Sequence, residues 1–372
     1  MYADFSFDLI VWYEQHKRDL PWRHTKDPYQ IWISEVILQQ TRVNQGLPYY
    51  VRFLESFPTV ADMAKADEQE ILRLWQGLGY YARARNMHTS AKMVIEQFDG
   101  KFPSTYQSIL QLKGVGSYTA AAIASFAFNE DVAVVDGNVF RVLARIFGIE
   151  EDIASGKGQK VFNTLANELL PKGKSSIYNQ AIMEFGATQC KPVSPDCPSC
   201  IFNAQCIAFT TKKQNSLPLK IKKLKIKYRY FNYLVFSYQD KLMMKMRNAG
   251  DIWQGLYDFP MLQNNDTIST KNIISQIAEN IGDTNLVSMR TGQALLPNLY
   301  LKNVSQTYKH LLTHQQIVSQ FIHFQIDTKE LAEQILKENE LKLYNFDEIN
   351  ELPKPILIVN YLKTMNLKNI NF

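Results

Sequence analysis

The amino-acid sequence predicts two domains, an all-α one followed by a smaller α+β one, and three observations carry this. The 372 residues exceed the usual size of a single domain, and each part is long enough to bury a core of its own. Through residues 1–210 apolar side chains recur at three- and four-residue intervals between Gly and Pro, the period of an amphipathic helix. Beyond a basic segment the texture changes to β-rich runs mixed with two helical patterns.

The helical stretches of the first domain are Trp32 to Gln40, Glu68 to Leu74, Ala82 to Phe98, Ser104 to Leu112, Tyr118 to Phe128, Val139 to Phe147 and Gln159 to Leu170. Ser104 with Gln107 forms a capping box, so a helix is predicted to start there and run to Leu112. From Lys212 to Arg229 the segment KKQNSLPLKIKKLKIKYR holds basic residues and no acid. It reads as a solvated tether or as a linker that tracks phosphates. The domains are therefore expected at 1–210 and 228–372, joined by a linker over 211–227. In the second, YRYFNYLVFSYQDKLMMKM is β-rich with a turn at Gln239-Asp240, HLLTHQQIVSQFIHFQI is β-rich again, and TKNIISQIAENIG and KPILIVNYLKTM have helical periodicity.

Composition is that of an ordinary globular protein. No apolar run is long enough to span a bilayer, and the opening MYADFSFDLIVWYEQHKRDL carries acids early without a basic stretch ahead of its apolar residues. A cytoplasmic, monomeric protein without a membrane partner is expected. The net charge of +5 says less than its crowding into the linker. All four cysteines lie between Cys190 and Cys206, a clustering that suits one metal centre better than disulfides spread through a secreted fold. The spacing, Cys190-x6-Cys197-x2-Cys200-x5-Cys206, has one short pair where structural zinc typically uses two, and four thiolates also suit a [4Fe–4S] cluster.

Residues 104–128, STYQSILQLKGVGSYTAAAIASFAF, set Gly114-Val115-Gly116 between two helical stretches. Two glycines around a small apolar residue let the backbone turn tightly and offer N–H groups at a helix start whose dipole favours an anion. A plain helix–helix turn has the same local pattern. What favours a phosphate seat is the order that follows: an alanine-rich helix, then DVAVVDGNVFRV, whose apolar run delivers Asp136 to the start of a new helix. Asp136 is expected to cap that helix, and the N–H groups it accepts from are expected to keep it ionised. Upstream, IWISEVILQQTR sets Glu35 on a helix apolar nearly all round, flanked on the wheel by Ile31, Leu38, Trp32 and Gln39, so desolvation is expected to raise its pKa. One acid held protonated beside another held charged is the pairing that cleaves glycosidic bonds. A lone Glu on an apolar helix also serves as partner to a structural Arg.

The blocks LPWR, PYQIWISEVILQQTRV, LWQGLGYYARARN, LKGVGSYTAAAIASFAF, VVDGNVFRVLARIFGI and YNQAIMEFGATQC resemble the helix-hairpin-helix superfamily of DNA glycosylases and, within it, the adenine DNA glycosylase (MutY) family. The resemblance implies an all-α helix-hairpin-helix glycosylase domain with an iron–sulfur cluster loop. Its substrate would be double-stranded DNA in which adenine is mispaired with 8-oxoguanine or guanine, the adenine being flipped into a pocket that includes Leu20, Trp22, Arg23 and Gln180. It implies that Glu35 protonates the base at N7 and that Asp136, with Asn138 and Tyr118 positioning, stabilises the sugar cation as nucleophile or as counter-charge. Gln40 and Tyr80 match residues that wedge into the base stack, although Tyr80 alone reads as a core or surface aromatic. Arg83 and Arg85 are candidate phosphate contacts beside Gly114, Val115 and Gly116. The cysteine spacing is the one that the family uses for a [4Fe–4S] cluster, with Cys190, Cys197, Cys200 and Cys206 as ligands and Lys191 near the DNA backbone. Endonuclease III-type relatives carry lysine where this chain has Tyr118, so a Schiff base is not expected and the implied enzyme is monofunctional.

In the second domain GDIWQGLYDFPML resembles the start of a Nudix-type domain, which implies an α+β lesion-recognition module. Of the glutamates that a Nudix hydrolase uses to hold Mg²⁺, TKNIISQIAENIG offers only Glu279, so binding rather than hydrolysis is expected. The family's Phe-Ser-His loop aligns with Leu312-Thr313-His314, leaving Thr313 and His314 as the lesion contacts without the phenyl ring. Two rival readings remain: a bifunctional endonuclease III-like glycosylase/AP lyase, and a DNA-binding protein without catalysis.

Overall fold

A computed structural model describes residues 2–221, 226–264, 294–296 and 298–365. The chain divides into two compact units, the first comprising Met1–Ala66 and Ala82–Lys223, the second Asp67–Tyr81 and Leu224–Phe372. The excursion Asp67–Tyr81 differs from the sequence expectation, which kept it in the helical domain. It is held in the second unit by Gln69, which donates to the Gly255 carbonyl at 3.2 Å, by Gln76, which accepts from the Lys354 N–H at 2.9 Å, and by Tyr81, which donates to the Lys354 carbonyl at 3.3 Å. An amphipathic stretch advertises an apolar face, not the core that will take it.

The described part of the first unit is helical: α1 (Tyr2–His16), a 3-10 turn at Pro21–Arg23, α2 (Pro28–Leu38), α3 (Val43–Ser56) and α4 (Val60–Lys65). After α5 (Glu68–Leu74), which belongs to the second unit, come α6 (Ala82–Gln97), α7 (Tyr106–Ile109), α8 (Ser117–Phe128), α9 (Gly137–Ile146), α10 (Gly156–Glu168), α11 (Ser175–Thr188) and α12 (Ile207–Thr210). Helix α2 starts before the expected Trp32 because Asp27 caps it, accepting from the Tyr29 N–H, and Pro28 occupies the first helical position. It stops at Leu38, ahead of Gln40, which has φ +59°. The capping box expected at Ser104 and Gln107 is a correction. Thr105 and Ser108 form it, and α7 is a single turn, since Thr105 takes the extended backbone that lets its hydroxyl reach the Ser108 N–H.

Helix α2 packs on α8, whose Ala120, Ala121, Ala122 and Ala124 are buried; the short side chains let the two helices approach closely. Helices α1, α9 and α11 share a second core built on Leu9, Trp12, Leu143 and Phe185. Gly186 of α11 has no room for a side chain, because a Cβ there would stand 2.6 Å from the Asn138 Cβ.

Between α7 and α8, Gly114 has φ +75°, and a Cβ on it would lie 2.5 Å from the Asn86 amide nitrogen. Gly114→Ala combines a left-handed backbone with that clash. It is expected to cost about 2 kcal/mol, read as a melting midpoint lower by roughly 5 °C in thermal unfolding, and an unchanged midpoint would contradict the account.

The described part of the second unit is a mixed sheet with helices. Its strands are β1 (Lys227–Tyr238), β2 (Lys241–Met246), β3 (Tyr257–Asp258), β4 (Met261–Asn264), β5 (Ala294–Leu296), β6 (Leu299–Val304), β7 (Tyr308–Leu311), β8 (Gln315–Ile326) and β9 (Lys342–Tyr344). The order is β3-β2-β1-β8-β6-β5, with β4 on β1, β7 on β8 and β9 on β2. β1 and β8 run parallel from Lys227 opposite Gln315 to Tyr238 opposite Ile326. Burial on both faces explains the nearly unbroken apolar run in β1. One face carries Leu234, Phe236, Ile322 and Phe324 under α13 (Lys329–Glu338). The other stacks Phe321 between Tyr233 and Tyr361 of α15 (Ile356–Thr364), with α14 (Phe346–Glu351) between the two helices in the chain. The segment TKNIISQIAENIG with Glu279 lies outside the described residues. Among the described residues no helix is long and apolar enough to cross a membrane.

Candidate active site

Ile31, Ser34, Glu35 and Leu38 of α2, and Gln180, Met183, Glu184 and Ala187 of α11, follow the spacing i, i+3, i+4, i+7. Each helix therefore turns one face into a single cavity of about 630 Å³. The turn before α2 adds Leu20, Trp22 and Arg23, α8 adds Tyr118, and the start of α9 adds Asp136 and Asn138. Residues singled out in the sequence for acid–base chemistry and for a base pocket thus meet around one hollow. Trp22 sits edge-on to Tyr50 with ring centroids 5.3 Å apart, and Gln180 accepts from the Tyr13 hydroxyl at 3.1 Å.

Glu35 is 6% exposed. Burial pushes its carboxyl up to about 7; a hydrogen bond from Tyr118 opposes this, the nearby charge of Asp136 adds to it, and that of Arg23 opposes it. The Tyr118 hydroxyl donates to Glu35 Oε2 at 2.6 Å, and burial together with the Glu35 and Asp136 charges keeps that phenol protonated. Asp136 caps α9 as expected, Oδ1 accepting from the Val139 N–H at 2.8 Å and Oδ2 from the Asn138 amide at 2.7 Å. Its pKa, however, is not held down. Burial raises it, and the N–H donors with Arg141 oppose that rise. The expected split between a raised and an unraised acid becomes one of degree, because both carboxyls face the same poorly solvated hollow.

Two groups escaped the sequence reading. Glu184, 1% exposed, accepts from Arg18 Nε at 2.7 Å and Nη2 at 2.7 Å, from the Arg18 N–H at 3.0 Å and from Arg23 Nη2 at 2.6 Å. Burial works against its ionisation, but these partners hold its pKa at about 2. The signal was present, since Glu184 stands four residues after Gln180 on the same helical face. Arg141 donates to Asn138 Oδ1 at 2.7 Å, to the Gly186 carbonyl at 2.7 Å and to the Cys190 carbonyl at 2.8 Å. It therefore ties the cysteine loop to the side chain that holds Asp136.

Around the hairpin, Gly116 is the N-cap of α8 and open space surrounds it. Val115 is a correction, since its N–H is already donated to the Leu112 carbonyl at 3.2 Å. Arg83 is another. Its Nη1 reaches the carbonyls of Val36, Ile37 and Gln39 at 2.8, 3.2 and 2.6 Å, closing the end of α2 where helix carbonyls lack partners, so it is not turned toward a phosphate. Arg85 is half-buried on α6, and Gln40 is exposed. In the second unit Tyr80 is 45% exposed with φ +49°. Thr313 and His314 are exposed in the turn between β7 and β8, closed by the Leu312 N–H donating to the Gln315 carbonyl at 2.8 Å.

Cys190, Cys197, Cys200 and Cys206 line one small pocket with Arg145 and Phe185. Burial pushes the Cys200 thiol up to about 11; the Phe202 N–H opposes this, and the other three cysteines add to it. A set of thiols that hinder one another's ionisation suits a shared positive centre. Among the described residues no three His, Cys, Asp or Glu side chains are gathered to hold one metal ion. Four cysteine thiols facing one small pocket are the kind of donor set that a thiolate-held metal centre uses. Lys191 is exposed on this loop.

Residues 33–172 match the family described as HhH-GPD superfamily base excision DNA repair protein. The chain is 34% identical over 263 residues to the adenine DNA glycosylase of Buchnera aphidicola subsp. Acyrthosiphon pisum, covering 70% of this chain and 75% of that relative. It is 41% identical over 222 residues to the human adenine DNA glycosylase, covering 57% of this chain and 41% of that one. A solved structure described as a thermostable thymine-DNA glycosylase superposes with a TM-score of 0.52 and 32% identity, covering 56% of this chain and 97% of that chain. With this extent of likeness, and with Glu35 and Asp136 facing one cavity, the chain belongs to the adenine DNA glycosylase family, within the HhH-GPD superfamily of base excision DNA repair proteins.

Proposed function

We propose that the protein removes adenine from duplex DNA where it faces 8-oxoguanine or guanine, by hydrolysing the N-glycosidic bond and leaving the strand uncut. The observation that carries this reading is the buried Glu35, its carboxyl raised by desolvation, sharing one cavity of about 630 Å³ with Asp136. Adenine flipped into the cavity would lie among Leu20, Trp22, Arg23 and Gln180. Glu35 hands its proton to N7, and the C1′–N9 electron pair leaves with the purine. The Asp136 carboxylate, steadied by Asn138, balances the positive sugar until water adds at C1′ and gives up its proton to a pocket carboxylate. Tyr118 supplies a hydroxyl and no amine, which supports a glycosylase without lyase chemistry.

In this reading Gly114, Gly116 and Arg85 meet phosphates, Gln40 and Tyr80 enter the base stack, and Thr313 and His314 read the opposing base. A [4Fe–4S] cluster would be held by Cys190, Cys197, Cys200 and Cys206 as a structural staple for the loop that Arg141 and Arg145 grip. Anaerobically purified protein should be yellow-brown, and a colourless preparation with one zinc per chain would overturn the assignment.

The test is a duplex with central adenine opposite 8-oxoguanine, analysed with and without alkali. Strand breakage only after alkali supports the proposal. Breakage without alkali indicates a lyase, and a bound but unbroken duplex indicates a DNA-binding protein. Release of thymine from a G:T duplex in place of adenine would move the substrate to that of the thymine-DNA glycosylase that the fold resembles.

A further inference from the structure

One buried, fully partnered carboxylate in the cavity is not used by the reaction above. Glu184 has no exposed side-chain surface, and its two oxygens are taken by guanidiniums from a different part of the chain. Arg23 is further fixed by donating Nη1 to the Arg18 carbonyl at 2.9 Å and by lying over the Tyr13 ring at 5.5 Å. Both arginines border the cavity that holds Glu35. Bidentate capture gives a guanidinium one orientation where a single contact would leave it free to swing.

We propose that Glu184 is a positioning residue: it clamps Arg18 and Arg23 to the wall of the base pocket and cancels positive charge that would otherwise strip the proton from Glu35. The inference rests on Glu35 acting as the acid. The charged and titratable groups facing Glu35 are Tyr118 from α8, Asp136 from the start of α9 and Arg23 from the turn before α2. Arg18, Arg42, Arg141 and Glu184 complete the ionisable lining. The arginines outnumber the ionised acids once Glu35 is neutral, so Glu184 is what keeps the cavity from becoming strongly cationic. Removing it leaves two guanidiniums uncompensated, and that of Arg23, with 14% of its side chain exposed, acts on its neighbours more strongly than it would in water.

The test compares Glu184→Gln with Arg18→Gln, which changes the charge in the opposite sense at a half-exposed position. For Glu184→Gln, the high-pH limb of single-turnover adenine release should move down by about one pH unit. The rate above pH 7 would then fall about tenfold, with a much smaller loss below pH 6. Arg18→Gln should move the limb upward, and Glu184→Asp, which keeps the charge, should leave it near its original place. A uniform fall in rate with the limb unmoved in both Gln variants, or movement in the same direction in both, would overturn the proposal. Carboxyl NMR of ¹³C-Glu-labelled protein, with the Glu35 signal assigned by Glu35→Gln, reads the same shifts without catalysis. An inactive wild type whose Glu35 titration still responds to Glu184→Gln would sink the glycosylase reading and keep the clamp; an active wild type with an unmoved titration would do the reverse. If Glu184→Gln does not fold, the Arg18→Gln titration decides alone, and a Glu35 midpoint that does not rise overturns the clamp.

Discussion

Glu35→Gln is expected to lower single-turnover adenine release by about 10³-fold, within the range that a positioned general acid contributes, while the duplex still binds. Gln keeps an oxygen for the Tyr118 hydroxyl and has no proton to give. In the wild type the acid is competent while protonated, so release should fall about tenfold per unit above about pH 7, given the raised Glu35 carboxyl, and should fall again on the acid side as Asp136 takes up a proton. Stability has a matching sign. A carboxyl whose folded pKa is raised contributes stability fully below its unfolded value near 4.5 and loses it as pH rises through about 7. At pH 8 the Gln variant, free of a buried anion, should be more stable than the wild type by up to about 3 kcal/mol, measured by denaturant unfolding. A variant that turns over near normally, or that loses stability at pH 8, would remove Glu35 from the role assigned to it.

Asp136→Asn is expected to cost about 10²–10³-fold in base release, the scale of one preorganised electrostatic group aimed at developing charge. Asparagine caps a helix about as well as aspartate, so the hydrogen bond from the Val139 N–H survives and the melting midpoint should change little. That separates charge from structure at one atom. The anion also contributes to the raised state of Glu35, so the high-pH limb of whatever activity remains should lie lower than in the wild type. A large fall in midpoint together with lost activity would make Asp136 a structural cap and no more.

Much of the site is legible in the sequence. Asp136 at the head of α9 follows from an apolar run that ends in a capping residue, and the burial of Glu35 follows from a helix with hydrocarbon on nearly every side. Both are local properties, carried by neighbours within a turn or two. The Arg83 assignment failed for the complementary reason. A guanidinium in an arginine-rich stretch looks available for phosphates, whereas here it closes the end of α2, some 45 positions earlier in the chain. Glu184 was missed although its helical phase was visible, because its partners Arg18 and Arg23 lie more than 160 residues away.

Periodicity, capping signals and the crowding of cysteines decide what each segment becomes and which side chains are chemically suited to a reaction, since those depend on near neighbours and on solvent. Which core receives the apolar face of Asp67–Tyr81, the parallel pairing of β1 with β8, the Arg18–Glu184–Arg23 clamp and the elevation of Asp136 along with Glu35 all depend on distant segments arriving together. Glu35 and Asp136 are buried, and the charges around them compensate one another, only once α2, α8, α9 and α11 have closed around the cavity, so those energies had no value along the unfolded chain.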